Sequence, residues 1–392
     1  MSALPEHDYI DTTAALEVFC TAVRAGSYIA IDTEFLRERT YRPELCLVQI
    51  KQQEHLACID TLAIDDLSPL FDLLFDTTIT KVLHAASQDL EIFYLKKKKV
   101  PSPIFDTQLA APLLGYNEQI GYGNLVREHL GIDLAKSHTR ADWTRRPMPT
   151  EQIRYALDDV IYLEQLYLDM HGKLETLGRL PWLEPEFAEW ENPLKYDQPA
   201  GERWKKIRNI QRYKGPTLAI IQSLAAWREL KARETNQPRN WLMKDDILLS
   251  IAQQQPTDHV ELNHIRGLDR KTRERFGDEI LAQINQSRTQ TPDPLPAFAK
   301  KKKLNGKTRA QLQLLDAWVH QRAQELDIAP GLLAPVKLLE KVVTGNSTTA
   351  LRGWREPLLA ADLDALLNGR ANIAISDQGL ILAVCATHEN LQ

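Results

Sequence analysis

The chain has 392 residues, 43% of them hydrophobic and 26% charged, a length that exceeds one ordinary core and leads us to expect three units. No apolar run is long enough for a membrane span, and the first residues, with Glu6, Asp8 and Asp11, lack the basic-then-apolar order of a secretory signal, so a cytoplasmic protein with no membrane contact is expected. The net charge of −5 divides unevenly: residues 1–200 hold 19 Lys+Arg against 32 Asp+Glu, and residues 201–392 hold 29 against 21. The second half suits a polyanion, and the first has carboxylates to spare for metal ions.

In chain order, residues 27–35, 45–51 and 54–60 read as three short strands with turn-prone or charged residues between them. Leu67, Leu70, Phe71, Leu73 and Leu74 recur at helical spacing, 81–85 reads as a fourth strand, 89–97 as a helix and 104–107 as a fifth strand. From 107 to 177 the period is helical. Its longest piece follows Pro149, with a stripe of Ile153, Ala156, Leu157, Val160, Leu163 and Leu166. This pattern implies a mixed sheet covered by helices. Residues 184–201, with Pro185, Pro193 and Pro199, read as a linker, and everything beyond reads as helical. There Leu224-Ala-Ala-Trp227, with Leu248 and Gly267, resembles Leu315-Asp-Ala-Trp318, with Leu339 and Gly353. We read an internal repeat, divided at 291–296 and the lysine run at 300–303.

Cys20, Cys46, Cys58 and Cys385 form no Cys-x-x-Cys pair, so neither disulfides nor zinc are expected. In Ala30-Ile-Asp-Thr-Glu-Phe35, period two puts Asp32 and Glu34 on one sheet face. Adjacent carboxylates repel, so a fold keeps them at solvent or beside a cation, for which a hard divalent ion is the natural partner. His84-Ala-Ala-Ser-Gln-Asp89 places Asp89 between a strand end and a helix start. In Tyr155-Ala-Leu-Asp-Asp159 the i, i+4 spacing puts Tyr155 and Asp159 on one helix face, whereas Asp158 points away and is expected to be solvated.

Asp-x-Glu on a strand, a later Asp and a final Tyr-x-x-x-Asp resemble the three motifs of the DEDD exonuclease superfamily, and the whole chain resembles the ribonuclease D family. The motif residues fall on Asp32, Glu34, Asp89, Tyr155 and Asp159, and Asp142-Trp-Thr-Arg-Arg-Pro147 resembles the family stretch before the third motif. Arg154 stands where the histidine branch carries its His, which places the chain in the tyrosine branch. The resemblance implies a ribonuclease H-like α/β domain, a mixed sheet with helices on both faces, over 1–195. Two all-α HRDC-like domains would follow over 210–290 and 305–385.

By that resemblance the chain is a 3′-to-5′ exoribonuclease using two divalent ions, Mg²⁺ or Mn²⁺, acting on RNA 3′ ends such as tRNA precursors and releasing nucleoside 5′-monophosphates. Asp32 would bridge both ions, Glu34 and Asp159 would complete the water-activating site, Asp89 would hold the second ion through water, and Tyr155 would orient the attacking water. Thr33 and Phe35 either contact the terminal nucleotide or serve as an ordinary hydroxyl and a core aromatic. His84 reads as a hydrogen-bonded strand-end residue, and Lys96 to Lys99 as a helix end suited to the dipole. Gly306-Lys307-Thr308 lacks the earlier glycine of a phosphate loop, so no nucleotide cofactor is expected. Arg203, Lys205, Lys206, Arg208, Arg212 and Lys214, with Trp204 and Tyr213, form either a backbone-tracking patch or a charged linker. Two other readings stay open: a DNA exonuclease with the same site, and an inactive RNA-binding scaffold.

Overall fold

The computed structural model describes residues 5–134, 141–296 and 304–384. Cys385 and the lysine run at 300–303 lie outside the described residues. Six strands form one sheet: β1 (Asp8–Ile10), β2 (Tyr28–Leu36), β3 (Glu44–Gln52), β4 (His55–Ile59), β5 (Thr80–Leu83) and β6 (Ile104–Asp106), in the spatial order β1-β4-β3-β2-β5-β6. β2, β3 and β4 pair antiparallel, while β1, β5 and β6 join in parallel, giving the expected mixed sheet. Edge strand β1 was not anticipated, since three residues with one buried side chain carry no readable period.

Alternation along β2 separates two cores. Ile29 and Ile31 face α1 (Thr13–Val23), α2 (Ser68–Leu74) and α3 (Ser87–Lys97), with Leu16, Phe71 and Phe93 in the same cluster. Tyr28 and Ala30 face the other way, where α4 (Thr107–Ala110), α5 (Tyr122–Leu130) and α6 (Thr150–Thr176) contribute Ala110, Leu125, Leu163 and Leu166. Apart from half-buried Ile153, the stripe on α6 is buried as its period requires, its first half covering Leu47, Leu56 and Cys58 of the sheet. Cys20, Cys46 and Cys58 are buried free thiols. Among the described residues no helix is long and apolar enough to cross a membrane.

The expected linker at 184–201 is instead partly ordered as α7 (Glu184–Glu191). Phe187 and Trp190 pack against the core of the sheet domain, and the Glu191 carboxylate accepts from the Ser102 hydroxyl and the Ile104 amide at 2.9 Å each. The prolines mark helix starts and turns here, since Pro is tolerated in a helix's first turn. Further on, Trp204, Ile207 and Ile210 recur every third residue along 3₁₀ turns and are buried in the next unit. Trp204 is fully buried, so it is no stacking platform for bases.

The two helical units share most of their helices. The first has α8 (Gly215–Thr235), α9 (Arg239–Leu242), α10 (Asp245–Gln254), α11 (His259–Asn263) and α12 (Arg270–Ser287). The second has α13 (Gly306–Leu326), α14 (Pro330–Leu333), α15 (Val336–Gly345) and α16 (Arg355–Leu367). Trp227 donates its indole N–H to Glu279 on α12 at 2.7 Å, and Trp318 donates to Asp362 on α16 at 3.0 Å. Leu248 and Leu339 are fully buried, and Gly267 and Gly353 both adopt positive φ. The expectation of an all-helical ending is corrected by a hairpin, β7 (Ala371–Ser376) and β8 (Gly379–Val384). In β7, Ile373 and Ile375 alternate with small or polar residues, a period-two pattern.

Both units dock on the sheet domain. Tyr41, in the loop after β2, reaches the first helical core, and its hydroxyl donates to the buried Glu229. The second unit stacks Trp354 on Trp182 with centroids 4.6 Å apart. Arg179 donates to the Leu113 carbonyl at 2.6 Å and, across the junction, to the Leu326 carbonyl. The second unit therefore packs against the sheet domain.

Candidate active site

β2 leaves the core at its C-terminal half, so Asp32 and Glu34 are half-buried on one face while Thr33, on the other, is buried. The β2–β3 register shifts between Glu34 and Phe35, an irregularity that turns the strand end. α6 crosses that face. Ligand oxygens of Asp32, Glu34 and Asp159 all lie within 4.8 Å of one another.

Asp89 comes from the opposite face. It sits in the first turn of α3, buried, and accepts a short hydrogen bond from the Thr33 hydroxyl. The turn before α3 is held by Asp106, whose carboxylate accepts from the amides of Ala85, at φ 58°, and Ala86 at 3.2 and 2.8 Å. Asp89 thus flanks the triad at the strand end rather than joining it, although its charge acts on both Asp32 and Glu34.

Burial, then the charges of Asp159, Asp89 and Glu34, raises the Asp32 carboxyl well above the ordinary range. Burial and the charges of Asp159 and Asp89 push Glu34 up to about 9. Asp159 is pushed up to about 7 by burial and by Asp158, against the opposing Tyr155 hydrogen bond. Burial pushes Asp89 up to about 6, against its Thr33 bond. Four carboxyls that resist ionising together, with no sulfur or imidazole in the set, make an oxygen-donor site fit for hard divalent cations.

Tyr155 hydrogen-bonds Asp159 one turn away, and burial and the nearby acids raise its pKa, so the phenol stays protonated. Trp143, itself buried, stands against the Tyr155 ring at 6.2 Å. The segment carrying Trp143 is fastened by Arg146, which grips Asp60 with two hydrogen bonds and donates to the Cys46 carbonyl at 3.0 Å. The stretch before the third motif therefore buttresses the tyrosine.

A cleft of about 750 Å³ opens over these residues, with Tyr122, Asn124 and Arg127 of α5 on its far wall. Asp158, expected to be solvated, is half-buried in this wall, and burial raises its pKa. Residue spacing set its direction on the helix but could not show that α5 closes over that direction; Tyr122 donates to its backbone carbonyl at 3.0 Å. His84 is satisfied by the Thr107 hydroxyl at 2.9 Å and the Ile120 carbonyl at 3.1 Å, and burial lowers its pKa. Phe35 packs against the core, and Lys97, Lys98 and Lys99 lie over Phe71, Tyr94 and Phe75.

Gln49 escaped the sequence reading. It pairs directly opposite Asp32 and is fully buried, yet among the described residues neither amide atom has a hydrogen-bond partner. A lone polar residue within the apolar 45–50 strand was the available signal.

A family model described as 3′-5′ exonuclease matches residues 8–175, and one described as HRDC domain matches residues 217–284. The ribonuclease D of Granulibacter bethesdensis is 37% identical over 97% of this chain and 98% of its own length, and that of Bartonella henselae is 36% identical over 94% and 92%. The crystal structure of Escherichia coli RNase D, described as an exoribonuclease involved in structured RNA processing, superposes with a TM-score of 0.79 at 32% identity, covering 93% of this chain and 99% of its own. With its carboxylate cluster, exonuclease sheet and HRDC domain in the order of those proteins, this chain belongs to the ribonuclease D family.

Proposed function

We propose that the chain trims RNA from its 3′ end, releasing nucleoside 5′-monophosphates by a two-metal mechanism with Mg²⁺ or Mn²⁺. Its substrates are tRNA precursors and other small structured RNAs of the cytoplasm. The observation that carries this reading is the convergence of Asp32, Glu34 and Asp159, from a strand and a helix far apart in sequence, on one oxygen-lined point beneath an open cleft.

Asp32, Glu34 and Asp159 would hold a divalent ion between them, and Asp89, on the other side of the strand, would help to hold a second. Bound divalent ions supply charge neutralisation at the scissile phosphate and an activated water. Tyr155 keeps its proton and positions that water as a hydrogen-bonding partner; a phenol with a raised pKa is a poor base at neutral pH. Trp143 and Arg146 hold Tyr155 in place. We assign residues 1–195 to the nuclease, 210–290 to a first HRDC-like domain and 305–385 to a second, the last supported by the matched tryptophan–carboxylate bonds of the two units.

The test is a gel time course with 5′-labelled RNA and matched DNA, comparing wild type, Asp159→Ala and an EDTA control. A metal-dependent ladder shortening from the RNA 3′ end, absent in the variant, is expected. Equal or faster trimming of DNA would point to a DNA exonuclease, and binding without trimming to a scaffold.

A further inference from the structure

Two adjoining cavities lie outside the carboxylate cleft, where the nuclease meets the first helical unit. The larger, about 400 Å³, is walled by the loop after β2, by α3 and by the start of α9. Six cationic side chains face it: Arg37, Arg42, Lys98, Arg203, Arg233 and Arg239. The smaller, about 160 Å³, shares Glu91, Tyr196 and Arg203 with it and adds Lys195 and Lys206. It reaches Ser87, the first residue of α3 and two positions before Asp89. Together they make one groove from the start of α3 to the helical unit. At about 3.3 Å per strand residue, Arg37 stands roughly 10 Å along the chain from Glu34.

The acids in this groove do not balance its cations. Glu91 takes Arg37 at 2.7 Å, and Asp197 takes Lys98 at 3.7 Å and Arg233 at 3.4 Å. Glu229, fully buried behind the wall, is shared by Arg203, Arg233 and Arg239 at 3.0, 3.2 and 3.4 Å. Among the described residues no ion pair involves Arg42 or Lys206, both exposed. Cations crowded on a concave wall repel unless an anion joins them, and this excess lies against a half of the chain that is otherwise acidic. The carboxylates underneath fix the guanidinium groups in position, so an incoming anion meets donors already arranged.

The aromatic residues here select among anions. Trp204 is fully buried, Tyr196 nearly so, and the Tyr41 hydroxyl is committed to Glu229. Tyr41 is half-buried with Arg233 over its ring, so among the described residues the groove offers no fully exposed ring for a base, and its chemistry is mainly that of phosphate contact. Building on the exoribonuclease reading, we propose that this groove holds backbone phosphates of the RNA strand upstream of the nucleotide being removed. The strand passes from the carboxylate cleft by Ser87 to Arg42 and Arg239 at the junction. Recognition there is independent of base sequence, and the first helical unit contributes directly to substrate affinity.

The test measures binding of the full chain in EDTA to fluorescent single-stranded RNAs of 3 and 12 nucleotides, comparing wild type with the Arg42→Ala/Lys206→Ala double variant. Arg42→Lys serves as a charge-retaining control, and the thermal midpoint of each variant as a folding control. Affinity for the 12-mer is expected to fall by roughly tenfold, and the slope of log affinity against log salt to shrink by about 0.7 for each phosphate no longer neutralised. The advantage of the 12-mer over the 3-mer should mostly disappear, with Arg42→Lys close to wild type. Unchanged 12-mer affinity and salt slope would overturn the proposal. So would an Arg42-dependent stabilisation by inorganic phosphate with RNA binding intact, which would mark a small-anion site instead. Wild-type trimming of the same 12-mer with Mg²⁺ reports separately on the exonuclease reading: trimming alongside unchanged variant binding removes the groove alone.

Discussion

The Thr33 hydroxyl donates to the Asp89 carboxylate, tying the strand that carries Asp32 and Glu34 to the helix that carries the fourth acid. This bond favours the ionised form of Asp89, whose carboxyl burial pushes up to about 6. Thr33→Val removes the donor, so the Asp89 pKa should rise further. If ionised Asp89 is required, the acid limb of the pH–rate profile should move to higher pH, with weaker Mg²⁺ dependence at pH 6 than in wild type. An unchanged acid limb would disconnect Asp89 from the rate.

Raised carboxyl pKa values also affect folding. Between the ordinary carboxylate range and about 7 to 9, the folded metal-free site binds more protons than the unfolded chain, so its contribution to stability falls as pH rises. In EDTA, Asp159→Asn should therefore raise the thermal midpoint by a few degrees at pH 8 and by less at pH 5. Added Mg²⁺ should stabilise wild type more than the variant. A midpoint lowered at pH 8 would contradict charge crowding.

Tyr155→Phe keeps the ring against Trp143 and removes the hydroxyl bonded to Asp159. Metal binding, read by calorimetry with Mn²⁺, should survive while kcat drops roughly 100-fold or more. Because the phenol stays protonated at neutral pH, wild type should show no basic limb from Tyr155 near pH 7 to 9.

Gln49 lies across from Asp32, where directly paired side chains stand about 4.5–5.5 Å apart at Cβ. A buried amide without partners costs stability, so Gln49→Leu should leave the thermal midpoint unchanged or higher. If the amide helps orient Asp32, the same variant should need more Mg²⁺ for half-maximal activity and bind Mn²⁺ more weakly. A clear loss of stability would mean that the amide is satisfied in solution.

Arg179 is buried and bridges nuclease and second helical unit through backbone carbonyls. Arg179→Ala should cost about 2–3 kcal/mol, read as an earlier denaturant transition of the second unit. A single transition at the wild-type midpoint would show that the interface contributes little.

Much of the site was legible in the sequence because its parts are local. Period two set Asp32 beside Glu34, a helical turn set Tyr155 beside Asp159, and the position of Asp89 after a strand set it at a helix start. The sheet's three antiparallel strands and the α6 stripe followed from the same periodicities. Tertiary structure decided what those periods leave open. Strand register put Gln49 opposite Asp32, α5 closed over Asp158, and Thr33 met Asp89 across the sheet. Packing made 184–191 a helix on the nuclease, buried Trp204, and put a hairpin after α16. A period states which way a side chain leaves its own element; which neighbour receives it depends on contacts between separate segments of the chain, which leave no trace in local spacing.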